Sequence, residues 1–149
     1  ADRSASPERV LAVSHVIGGL AILGCGFTRD FTPFFVLMLV HWAQRHQRAI
    51  KGALLAAPPD LDCDWPANYP TPATLRENGW DPLPKGKLPF PSILAASTTD
   101  HLASLDATTR MAAQWGSELV NLGDVGHLNP AAGFGPWPRA EDFIRQLDR

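Results

Sequence analysis

Cysteine is scarce in this sequence, and the two that occur, Cys25 and Cys63, lack the close CxxC spacing of a zinc or redox site. Reduced thiols in a cytoplasm are the plain expectation. Neither sign of charge dominates: 13 basic residues against 15 acidic ones leave a net charge of −2. With no polybasic stretch, the pattern excludes a nucleic-acid footprint and an electrostatic membrane patch. The glycine-rich run GGLAILGCG lacks the lysine and serine that would follow in a phosphate-binding loop. His41 and His46 do not have the i, i+4 spacing that puts two ligands on one helix face. The expectation is therefore no metal and no cofactor. There is no internal repeat, no low-complexity tract and no charged leader followed by an apolar segment and a small-residue cleavage site at the opening ADRSASPER.

Long apolar runs are also few. Val10 to Phe27 carries no Asp, Glu, Lys or Arg over a length near the minimum for a membrane span. Ser14, His15 and glycines 18, 19, 24 and 26 dilute it, and the next run, Phe31 to Ala43, contains Pro33 and His41 and is short. A membrane hairpin over 10–43 is thus a minor reading beside buried strand and helix.

What is present fits one domain over residues 1–149, since 45% hydrophobic residues in 149 supply a sizeable core. RVLAV at 9–13 suits a buried strand, with Gly18-Gly19 turning the chain toward a helix. FFVLMLVHWAQRHQ at 34–47 predicts a helix, and IKGALLAAPP a strand stopped by two prolines. Pro58 to Pro91 holds nine of the fourteen prolines, interleaved with aromatics, which predicts an ordered irregular excursion with a short helix near 73–78. PSILAAS predicts a buried strand. Ser104 is placed to cap a helix whose Thr108, Met111, Ala112 and Trp115 share a face and which Gly116 stops. ELVNLG predicts another strand and RAEDFIRQLD a final amphipathic helix. Strands apolar on both faces alternating with helices imply an α/β fold with a parallel sheet covered on both sides.

In such sheets ligands bind beyond the carboxyl ends of the strands, which gives weight to two loops. Ser97-Thr98-Thr99-Asp100-His101 follows PSILAA, and Gly123-Asp124-Val125-Gly126-His127-Leu128-Asn129 follows ELVNL. An acid after one strand and a histidine after the next match the last two members of a nucleophile, acid, histidine triad. The chemistry asks for these types because a neutral imidazole accepts the nucleophile's proton while a buried carboxylate fixes its tautomer and stabilises the imidazolium. The plain alternative for Asp100 is a loop-capping carboxylate, and for His127 a loop histidine satisfied by backbone. Asp62-Cys63-Asp64 reads as a solvated acidic loop. Trp65, Trp80 and Trp137 read as packing under the proline-rich loops, Trp137 being also placed to wall an active site.

The segments KGALLAAPPD, LPFPSILAAS, AAQWGSELVNLG and above all GHLNPAAGFGPWP resemble the YdeN-like family of small serine hydrolases, the family of retinoblastoma-binding protein nine. The likeness runs from about residue 40 to 147. It implies an α/β-hydrolase-like three-layer sandwich, hydrolysis of small carboxylic esters, and a Ser, Asp, His triad in which Asp100 matches the acid and His127 the base. Family members run a strand into His-Ser-Leu-Gly and then a helix containing His-Trp-Ala and Arg-His. Here His41-Trp42-Ala43 and Arg45-His46 are present, but PFFVLML precedes them, without serine or glycine.

An echo of the serine elbow lies upstream, where His15-Val16-Ile17-Gly18-Gly19 stands for His-Ser-Leu-Gly-Gly. In that register Val16 fills the nucleophile seat, and valine has no group to attack a carbonyl. Ser14, two positions earlier, faces the same side of a strand but sits deeper, outside any Gly-x-Ser-x-Gly context. The family's first strands and oxyanion-hole loop have no counterpart before this echo, so residues 1–39 are atypical. Without those strands the sheet would expose an edge that invites pairing with a second copy. A catalytically inactive relative that binds a partner is the competing expectation.

Overall fold

The computed structural model describes residues 34–46, 50–67, 69–79 and 81–149. The RVLAV strand, Ser14, Val16, the apolar run Val10 to Phe27 and Trp80 lie outside the described residues. The elements in chain order are α1 (Phe34–His46), β1 (Ala53–Ala56), α2 (Pro72–Glu77), β2 (Ser92–Ala96), α3 (Leu105–Trp115), β3 (Glu118–Asn121), a 3-10 turn (Pro130–Ala132) and α4 (Pro138–Leu147). The three strands form one parallel sheet in the order β1-β2-β3, with Leu55 opposite Leu94 and Leu94 opposite Leu119.

Local chemistry accounts for the helix limits. The Ser104 side chain accepts from Ala107 N–H at the start of α3, and Gly116 ends it in the left-handed conformation with φ 69°. Thr71 caps α2 in the same way, followed by Pro72 in the first turn. Leu37, Val40 and Ala43, spaced three apart on α1, are all buried.

Strand alternation sends Leu55, Leu94 and Ala96 to one face of the sheet, where they join Val40 and Ala43 of α1 and Met111, Ala112 and Trp115 of α3 in the main core. The other face, with Leu54, Ile93 and Ala95, is left to α4, which packs on β1 and β2. The result is an α/β sandwich of helix, parallel sheet and helix. Among the described residues, no helix is long and apolar enough to cross a membrane.

The proline-rich excursion is ordered, because it is tied to this core at several points. Trp115, 1% exposed, donates its indole N–H to Pro84 O at 3.1 Å, and Leu88 N–H donates to Trp115 O at 2.8 Å. Trp65 donates to Asp60 O at 2.8 Å and packs beside a smaller core of Leu37, Leu61 and Leu75.

One expectation needs correcting. Only β2 is buried along its whole length; β3 exposes Glu118 and Asn121 and half-buries Leu119 and Val120. Among the described residues α4 packs mainly on β1 and β2, which leaves β3 covered chiefly by α3, so it reads as a half-covered edge rather than a strand apolar on both faces.

Candidate active site

The carboxyl ends of β2 and β3 each release a short loop, and hydrogen bonds between the loops continue where the sheet stops. Leu122 N–H donates to Ala96 O at 2.8 Å and Thr98 N–H to Gly123 O at 2.9 Å. The Ser97 hydroxyl donates to Gly123 O and accepts from Val125 N–H, both at 3.2 Å. The Thr99 hydroxyl donates to the Asp124 carboxylate and accepts from Gly126 N–H at 3.2 Å. Asn121 accepts Gly123 N–H at 2.8 Å, fixing the start of the second loop.

This framework brings Asp100 and His127 together. The His127 Nδ1 lies 2.9 Å from both Asp100 carboxylate oxygens, and the two side chains are 5% and 1% exposed, histidine first. Carboxylate oxygens accept, so this geometry suits a proton on Nδ1, the arrangement in which a neutral imidazole keeps the lone pair of Nε2. Nε2 makes no hydrogen bond among the described residues. Asp100 Oδ1 also accepts Leu102 N–H at 2.9 Å, which orders its own loop. The carboxylate therefore performs the loop-capping role that spacing alone allows, and orients the imidazole as well.

The segment after His127 explains the distinctive GHLNPAAG run. Gly126 has φ 59°, and a Cβ there would lie 2.6 Å from Ala132 Cβ, so the chain folds back tightly only with glycine. Asn129 caps the 3-10 turn through Ala132 N–H at 2.9 Å, and Gly133 ends it with φ 75°. Between His127 and Asn129, Leu128 takes φ 54°, a conformation that L residues with branched side chains adopt at a cost of about 1–3 kcal/mol. Backbone strain thus sits directly after the imidazole.

His101 is exposed, and its ring stands edge-on to His127 with centroids 5.8 Å apart. Trp137 packs edge-on against Phe134 and Phe143, at 5.9 and 6.0 Å, as packing under loops requires. From the carboxyl end of β1, the excursion encloses a cavity of about 250 Å³ among Leu61, Cys63, Trp65, Tyr69 and Leu75. Cys63 donates to the carbonyls of Asp60 and Leu102, and burial pushes its thiol above the usual range. No group of three His, Cys, Asp or Glu residues able to hold a metal occurs among the described residues. The roles of Ser97 and Thr99 escaped sequence reasoning; the one signal available is a run of small hydroxyl residues immediately after an all-apolar strand.

A parallel α/β sandwich with a buried carboxylate–imidazole pair beyond adjacent strand ends defines a class, the hydrolase-like α/β proteins. Comparison with known proteins makes this specific. The serine hydrolase family model matches residues 34–146, and the chain belongs to that family. A solved YdeN-like hydrolase of Pectobacterium atrosepticum superposes with a TM-score of 0.59 at 31% identity, covering 76% of this chain and 57% of its own. The chain therefore spans little more than half the length of that relative. No curated protein matches the sequence. The α/β-hydrolase-like fold and the YdeN-like family expected from the sequence are those found.

Proposed function

We propose that the chain supplies the acid and base of a serine-hydrolase site acting on small carboxylic esters. The observation that carries this reading is the buried Asp100–His127 pair, Nδ1 at 2.9 Å from both carboxylate oxygens. In this reading Nε2 takes the proton from an attacking hydroxyl and returns it to the leaving alcohol, while Asp100 stabilises the imidazolium in between. The nucleophile stays open: Ser14 is the candidate serine from the sequence and lies outside the described residues, and Val16 stands in the elbow register.

The test is hydrolysis of a short-chain p-nitrophenyl ester together with labelling by a fluorophosphonate. Activity above blank that is lost in Asp100→Ala and His127→Ala, with a labelled serine mapped by peptide mass, is the expected result. Full activity in either variant removes the assignment. One observation favours a second reading, a non-catalytic relative with a binding role: Val16 stands in the elbow register. A folded, pure chain that neither turns over ester nor takes the label supports it.

A further inference from the structure

Ser97 is the buried one of three consecutive residues, with Thr98 and Thr99, through which the two site loops meet. It is the first residue after β2, 2% exposed, and its hydroxyl donates to Gly123 O while accepting from Thr99 N–H and Val125 N–H, each at 3.2 Å. The Thr99 hydroxyl lies 3.4 Å from the Ser97 hydroxyl, a longer contact than the three backbone ones. A serine hydroxyl offers one donor and two acceptor lone pairs, so its capacity is filled by three backbone groups. The bond from Thr99 is a local turn of the kind serine often makes. The other two reach across to the loop that ends in His127.

The opposite end of the same strand supplies the contrast. Ser92 is also buried, yet its hydroxyl meets one partner, the Ser117 hydroxyl, at 2.7 Å. A serine that merely terminates a strand needs no more than that.

We infer that Ser97 is a positioning residue for the Asp100–His127 pair. Its hydroxyl sets the register of the base loop against the acid loop, and so holds Nδ1 over the carboxylate. Two of the three groups it serves, Gly123 O and Val125 N–H, belong to the base loop; Gly123 O keeps the Thr98 N–H when the hydroxyl is removed, whereas Val125 N–H has no other partner among the described residues. The catalytic sense of this inference rests on the reading of the pair as acid and base, but its structural content does not.

The experiment follows the tautomer of neutral His127 by ¹⁵N NMR in the whole chain, with signals assigned by their loss in His127→Gln. The parent is expected to hold the Nδ1–H form, since Nδ1 faces both carboxylate oxygens. In Ser97→Ala the ratio of Nδ1–H to Nε2–H is expected to fall about tenfold, the effect of losing one net hydrogen bond from the arrangement. In Ser92→Ala, which removes a buried hydroxyl from the same strand, the ratio is expected to stay at the parent value. An unchanged ratio in folded Ser97→Ala overturns the inference, and so does an equal fall in Ser92→Ala. If Ser97→Ala does not fold, Ser97→Cys decides: its thiol keeps the shape with a weaker donor, so a partial fall supports the clamp and no change overturns it. The readout needs no turnover. A tautomer that responds in a chain without esterase activity supports the clamp while removing the catalytic reading, and active enzyme with an unmoved tautomer removes only the clamp.

Discussion

The two edges of the sheet are built from similar residues and do different things. At the amino edge, Ser92 and Ser117 share one hydroxyl bond, and Trp115 locks Pro84 and Leu88 onto the end of α3. At the carboxyl edge, Ser97, Thr99 and Asn121 spend their side chains on backbone groups of two loops, and those loops carry Asp100 and His127. The first edge holds elements together; the second holds side chains in position. Polar contacts at the amino edge thus act on stability, whereas those at the carboxyl edge act on geometry.

Substitutions at each edge can break or sharpen that division. The largest effect is expected from Asp100→Asn, which keeps shape but gives His127 the wrong tautomer. Ester turnover should fall on the order of 10⁴-fold with little change in unfolding midpoint, and an unchanged rate would end the division at its catalytic side. Trp115→Ala empties the amino-edge core and should cost about 3–5 kcal/mol in urea unfolding while leaving the His127 tautomer intact in whatever fraction stays folded. Gly126→Ala should cost about 1–3 kcal/mol, because a Cβ meets Ala132 and the left-handed backbone disfavours it, and it should also disturb the His127 ring resonances. Disturbance by Trp115→Ala but not by Gly126→Ala would reverse the assignment of the two edges. Smallest is Ser92→Ala, expected to cost about 1 kcal/mol with esterase rate unchanged.

Much of this architecture is legible in the order of the residues. Ser104 and Gly116 mark the ends of α3 because caps act on the nearest turn, and Leu37, Val40 and Ala43 mark the buried side of α1 because helical spacing is local. Asp100 and His127 are legible as a pair from their places after consecutive strands, although the distance between them is a property of the folded loops. The exposure of Glu118 and Asn121 is hidden, since burial of a strand depends on what lies beside the sheet rather than on the strand itself. Ser97 is hidden for a related reason: its partners Gly123 and Val125 are brought to it only by the pairing of β2 with β3. The left-handed Leu128 and Ala57, with φ of 54° and 46°, stand beside turn signals, Asn129-Pro130 and Pro58-Pro59, that mark a turn without saying which residue takes the left-handed conformation.

Leu128 has a bearing on how this chain would respond to engineering. A glycine or asparagine there would relieve the left-handed backbone and raise the melting temperature, so an unsupervised screen for thermostability should find that position early. The relief would come from the residue that fixes the exit of the chain from His127. A screen that selects for heat resistance alone would therefore change the residue next to the imidazole, and position 128 is where stability and ring geometry should be scored together.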